Sequence, residues 1–329
     1  MKNRYSRLML IGACSLFAIF LMAGCSSDQS AGSASHDDFP NKTINIYSPY
    51  SPGGYVDIIT RQLADQLEDE LGVNINVSDH SGGGGIVAMT DILNQEPDGY
   101  TLSAASDISH MHFEDVGYEI EDFTFVSSMA YAHHPLIVRS DSEWDDLDDL
   151  LEYAEENPGS IRWGSGGIVN PVVLAGRELF DKSGVEAVQV PYDGGAEVLS
   201  ALLGGDIDLG IIADFKSPYE SGDIKLLAES SREADPNFPE VETLAELGYS
   251  DQGPLTTYGL IGPGDMPDEV VEVLEDAIGE VVNSDEFKEA MEQLGVEDYY
   301  RGSEDYQQLM IEEDQRLEEV VPQYVEEDE

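Results

Sequence analysis

Cysteine is almost missing from this chain: among 329 residues there are two, Cys14 and Cys25, both close to the start. With none after Cys25, the body of the protein has no prospect of an internal disulfide, a thiolate metal site or a cysteine nucleophile. Basic residues are scarce as well, with 15 Lys and Arg against 68 Asp and Glu, a net charge of −53. A chain that acidic repels phosphate backbones, so nucleic acid is excluded as a partner. Catalytic signatures fail too. Gly164-Ser165-Gly166 does not form the G-x-S-x-G elbow, and the run from Ser81 to Gly85 lacks the Lys and hydroxyl of a phosphate-binding loop. His110, His112, His133 and His134 lie close in sequence, but no H-x-x-x-H pair or second ligand cluster joins them, so no metal is expected.

What the chain does have begins with an export signal. Lys2, Arg4 and Arg7 precede an apolar stretch at residues 8–22 that is too short to span a bilayer comfortably, so residues 1–24 are expected to be removed. The stretch ends Leu21-Met22-Ala23-Gly24-Cys25, which resembles a bacterial lipoprotein cleavage box with Cys25 as the lipidated first residue of the mature protein. The alternative is an ordinary signal peptide, or a single anchor helix with a chance cysteine. Residues 25–38, rich in Ser, Gly, Ala and Asp, read as a flexible tether. Losing the three signal cations takes the charge from −53 to −56. The acids are spread through the whole sequence among apolar residues at helical or strand spacing, which points to a folded protein with a halophile-type surface.

Strand and helix signals alternate along the chain. Thr43 to Tyr47 alternates like a strand, and Ile59, Leu63, Leu67 and Leu71 recur at four-residue spacing before Gly72. A second strand over Val73, Ile75 and Val77, a helix over residues 86–94 and a strand over residues 100–104 follow. A second series starts after Pro135, with strands near residues 136–138, 161–163, 188–190 and 207–212. Its helices fall near residues 144–154, 171–180 and 196–203. A strand at residues 257–261 then precedes three acidic amphipathic helices. Repeated βα units imply parallel sheets with ligand loops at the strands' carboxyl ends, and the economical assembly is two α/β lobes with a cleft between them.

Four Gly-rich turns follow predicted strands and open predicted helices. They contain Tyr50, Ser51, Gly53, Gly54 and Asp57; Ser81, Gly82, Gly83, Gly84 and Gly85; Ser165, Gly166, Gly167 and Asn170; and Tyr192, Asp193 and the glycines after it. Backbone N–H groups at such helix starts hold an anion without any basic side chain. Two turns per lobe would grip a small carboxylate from both sides. Asp57 is placed to cap its own loop, although a contact to a ligand ammonium is the other option, and Arg61 to brace helix against loop. Tyr50, Tyr192 and Asn170 are the candidate side-chain donors. Gly54 is where a side chain would block close approach of the backbone and strain the turn.

Phe39-Pro40-Asn41-Lys42-Thr43-Ile44, the Pro-x-Gly-Gly-x-x-Asp-x-x-x-Arg run through Arg61, Pro97-Asp98-Gly99-Tyr100-Thr101-Leu102, Val190-Pro191-Tyr192-Asp193-Gly194-Gly195 and Leu203-Gly204-Gly205-Asp206-Ile207-Asp208 occur in that order. Together they resemble the extracytoplasmic receptors of tripartite tricarboxylate transporters, the Bug family, over residues 39–321. The resemblance implies an α/β, two-lobed, periplasmic-binding-protein-like fold of type II with the ligand cleft between the lobes. Lobe 1 would be discontinuous, at residues 39–135 and 255–329, with lobe 2 at residues 136–254. It implies a non-enzymatic, cofactor-free receptor that takes a small organic carboxylate, such as a di- or tricarboxylate, an acidic amino acid or an aromatic acid. The receptor would deliver it to a two-subunit membrane permease. Carboxylate contacts would come from the first two turns. A ligand sensor without a dedicated permease, or an enzyme using the same cleft, are the alternative functions. Two departures from the family pattern stand out: Asp79-His80-Ser81 opens the second turn where Asn, Arg and Pro are usual, and Val172-Val173 replaces a customary His in the third.

Overall fold

The four-residue spacing in the first helical segment becomes a buried stripe. Helix α1 (Tyr55–Leu71) covers Ile59, Leu63 and Leu67, each contributing about 1.5–3 kcal/mol by burial, while Arg61, Gln62, Asp65 and Glu68 face solvent. Gly72, in the left-handed region at φ 67°, closes it by donating its N–H to the Glu68 carbonyl. The computed structural model describes residues 39–50, 52–105, 109–112, 116–166, 170–192 and 194–325. Among these, no helix is long and apolar enough to cross a membrane.

The chain builds two sheets. The first contains β1 (Ile44–Ser48), β2 (Ile75–Asp79), β3 (Thr101–Ala105), β4 (Phe123–Tyr131), β10 (Thr257–Pro263) and β11 (Glu297–Arg301), in the order β11-β4-β10-β3-β1-β2. The second contains β5 (Pro135–Arg139), β6 (Ile161–Gly166), β7 (Ala187–Tyr192), β8 (Leu209–Ile211) and β9 (Ile224–Glu229), in the order β7-β6-β8-β5-β9. Around the first sheet lie α1, α2 (Ile86–Leu93), α7 (Asp268–Val282) and α8 (Asp285–Leu294). The second carries α3 (Leu147–Glu156), α4 (Pro171–Ser183), α5 (Gly195–Gly204) and the short α6 (Lys216–Glu220). Each sheet has its own apolar core: Ile46, Ile59, Leu63 and Ile278 in the first lobe, and Leu136, Leu150, Trp163 and Leu209 in the second.

Both sheets are mixed, which corrects the all-parallel expectation from repeated βα units. Strand β10 runs antiparallel to β3 and β4, and β5 runs antiparallel to β8 and β9, while β1 with its two neighbours and β6 with its two are parallel. The two inserted strands are those entered from the other lobe, so they arrive in the opposite direction. Apart from the extra edge strand β11, the two sheets therefore share one order, each with its visiting strand in the same place.

The chain crosses between lobes after β4 and again after β9. The crossings are tied together, with the Ala132 N–H donating to the Thr256 carbonyl at 2.9 Å and the Ser230 hydroxyl to the His134 carbonyl at 2.6 Å. The last helix, α9 (Ser303–Val325), touches both lobes. Its Tyr306 and Met310 pack in the first lobe, and Leu317 and Val321 pack on Leu174 of α4, where Arg177 donates to the Tyr324 carbonyl at 2.8 Å. Buried Glu313 of the same helix pairs with Arg232 of the second crossing and, at 2.6 Å, with Arg316.

Candidate functional site

The first turn is shaped by one buried carboxylate. Asp57, 3% exposed, accepts the Gly53 N–H at 2.9 Å and a forked pair of bonds from Arg61 at 2.9–3.1 Å. The Arg61 guanidinium holds the Asp57 carboxyl below the usual carboxylate range, with burial opposing it and the Gly53 N–H adding to the effect. Its oxygens are thereby committed to the loop. Gly53 is the residue that needs to be glycine, at φ 85°; Gly54 has φ −76° and ψ 167°, ordinary extended backbone, so the strain expected at Gly54 belongs one residue earlier. In the second turn Gly82, Gly83 and Gly85 all have positive φ and lead straight into α2. A Cβ on Gly85 would sit 3.6 Å from the Tyr50 hydroxyl, so the first two turns lie against each other. Gly84 belongs to the same short turn, and the Ser81 N–H donates to Asp79 at 2.9 Å.

In the second lobe, β6 runs through Gly166 and β7 through Tyr192, paired in register. Ser165 is thus a buried strand residue instead of part of a turn; Gly164 and Gly166 of the third turn and Tyr192 of the fourth likewise belong to strands. Tyr192 lies over Gly164, where a Cβ would come within 2.9 Å of the ring. Asn170 caps α4: its carbonyl accepts from the N–H groups of Val172 and Val173 at 3.0 and 2.9 Å, and its amide donates to the Gly166 carbonyl. Its side chain holds the loop more than it offers donors. A Cβ on Gly166 would lie 3.4 Å from Gly194, so these two turns also adjoin. Ser51, Gly167, Asp193 and Cys25 lie outside the described residues.

The lobes meet at residues the sequence reading did not single out. Tyr55, the first residue of α1, donates to the Leu294 carbonyl at 2.8 Å and also interacts with Asp214 of the opposite lobe. Burial pushes the Tyr55 hydroxyl well up, and the Asp214 charge adds to it. Burial raises Asp214 too, against the pull of the Tyr55 hydroxyl. Lys216 reaches across to the Glu292 carbonyl at 2.6 Å. These side chains, with Ala196 and Leu199, line a cavity of about 640 Å³ beside the first and fourth turns. The topological rule that ligand groups cluster beyond strand carboxyl ends would have pointed to Asp214, three residues past β8.

The histidines are dispersed among carboxylates. His112 lies 2.7 Å from Asp314, and His133 lies 3.0 Å from Glu297 and 4.0 Å from Glu229. Among the described residues no three His, Cys, Asp or Glu side chains form a metal-sized group.

Residues 59–324 match the family described as "Tripartite tricarboxylate transporter family receptor". The chain belongs to this receptor family. It is 30% identical over 285 residues to the Cupriavidus necator "UPF0065 protein in gbd 5'region", covering 85% of this chain and 86% of that one. Among solved structures, the periplasmic binding protein BugD superposes with a TM-score of 0.73 at 26% identity, over 87% of this chain and 98% of that one. The R. palustris protein Rpa4515, solved with adipate, gives 0.74 at 26% with the same coverage. Within this receptor fold the two departures have structural roles. His80 stacks on Tyr47 with ring centroids 3.6 Å apart and contacts Asp91 at 3.0 Å, while Val172 and Val173 are buried in the second core.

Proposed function

We propose that this receptor closes on one small organic carboxylate, leaves it chemically unchanged and delivers it to a two-subunit membrane permease from the outer face of the membrane. Supporting this reading above all is the pairing of Gly-rich turns, two in each lobe, at the N-terminal ends of helices where backbone donors and helix dipoles favour an anion. Tyr50, Gly53, Gly54 and Ser81 to Gly85 would form one jaw, and the segments around Gly166, Asn170, Tyr192 and Gly194 the other. Asp57 and Asn170 fix the loops instead of touching ligand. The adipate bound to the 26% identical R. palustris protein favours a carboxylic acid here. The two lobes would be residues 39–135 with 255–329 and residues 136–254. Lipidation at Cys25 would anchor the mature chain, and a net charge of −56 suits a saline exterior.

A thermal-shift screen of carboxylates in molar salt tests the reading. A ligand at about 100 times its Kd stabilises the folded state by about 2.7 kcal/mol, a clear rise in melting temperature. A flat response across di-, tri-, amino and aromatic acids would overturn it.

A further inference from the structure

Asp214, half-buried on the second-lobe wall of the cleft, has few hydrogen-bond donors among the described residues. A Cβ built on Gly195, the first residue of α5, would lie 3.0 Å from its Oδ2, and Gly194 in turn adjoins Gly166. The carboxylate therefore sits where the third and fourth turns meet, opposite the start of α1, on the wall of the interlobe cavity. Two carboxylate oxygens offer about four acceptor sites. Among the described residues the partner of Asp214 is the Tyr55 hydroxyl, whose single proton is donated to the Leu294 carbonyl across 2.8 Å between the oxygens. The nearby Lys216 ammonium is turned to the Glu292 carbonyl. Acceptor capacity is left over on the wall of the cavity.

Resting on the carboxylate reading above, we propose that Asp214 sets ligand specificity by accepting a hydrogen bond from a hydroxyl or ammonium group beside the ligand's carboxylate. A plain carboxylic acid would bring a second acceptor-only anion toward Asp214, and the two would repel in a low-dielectric cleft. An α-hydroxy or α-amino acid puts its carboxylate on the backbone donors and its own donor on Asp214, so both groups are matched. A site built to receive a donor discriminates strongly against the analogue that lacks it. If Asp214 only held the lobes together through Tyr55, it would affect every ligand alike.

Calorimetry on the chain without residues 1–25, in molar salt, would compare matched acids: malate and aspartate with succinate, lactate with propionate, and mandelate with phenylacetate. The donor-bearing member of the best-bound pair should bind at least tenfold tighter. Asp214→Asn should cut that ratio below threefold, mainly by weakening the donor-bearing acid. A wild-type protein that binds the plain acid equally or better overturns the proposal whether or not the variant folds, as does a variant that weakens both members equally. Binding of no acid at all would instead bring down the receptor reading itself, and this proposal with it.

Discussion

His133 stands at the first crossing between lobes, 2% exposed, with Glu297 on one side and Glu229 on the other. Burial works against its protonated form, but the hydrogen bond to Glu297 and the charges of Glu229 and Asp235 outweigh it, so its pKa is raised above 6.5. Burial likewise raises Glu229, with His133 opposing. A base whose folded pKa is raised contributes stability that is fully present below its unfolded pKa and lost as pH rises through the folded value. The neighbouring His134 is pushed by burial down to about 4 and has the opposite sign, favouring the unfolded chain below its unfolded pKa, with the full effect reached at about pH 4 and kept below it. Comparing His133→Gln with the native protein reads the first effect together with the changes that losing the His133 charge causes at His134 and Glu229. The variant should melt lower at about pH 5.5, with the gap narrowing as pH rises toward the alkaline side of the folded His133 pKa. Melting curves across that range check it, and a gap that is constant or widens with pH would contradict it.

At the scale of elements, the end of α8 is shared between lobes. Gly295 closes the helix at φ 73°, Tyr55 of the first lobe takes the Leu294 carbonyl, and Lys216 of the second takes the Glu292 carbonyl. A cation at a helix C-terminus is worth about 0.3–1 kcal/mol, and here that contact exists only while the lobes touch. Lys216→Met should therefore weaken binding about two- to fivefold for every carboxylate alike. Titration calorimetry would show it; unchanged affinity would mean that the contact does not bias closure. Much at this scale was legible beforehand: the stripe of α1, the Gly72 stop, the start of α4 at residue 171, and the glycines that lead into α1, α2 and α5. Strand β11, Glu297-Asp298-Tyr299-Tyr300-Arg301, was not, because adjacent tyrosines between charged residues show no period-2 alternation, and the strand is held by pairing with β4. The antiparallel visitors were hidden for a related reason, since strand direction depends on where the chain comes from. Asp214 and Lys216 escaped because each is an ordinary charged residue in sequence and acquires its role only when the other lobe arrives.

Across the whole molecule, charge dominates. A net charge of −53, which removal of residues 1–24 would take to −56, makes the compact state self-repulsive where screening is weak. The Debye length falls from about 30 Å at 0.01 M salt to about 3 Å at 1 M, so distant carboxylates stop repelling one another only in brine. Melting temperature should rise steeply with NaCl toward molar concentration, and a flat or falling profile would contradict salt adaptation. Ligand binding should respond little over the same range, because the proposed donors are backbone groups inside a cleft and not a long-range basic field. The most direct test of the account is a calorimetric titration of the chain lacking residues 1–25, in molar salt, with the carboxylate that raises its melting temperature most, followed by recovery of that compound. The account predicts one ligand per chain, returned unchanged; measurable turnover by the pure protein, or no heat of binding for any carboxylate, would contradict it.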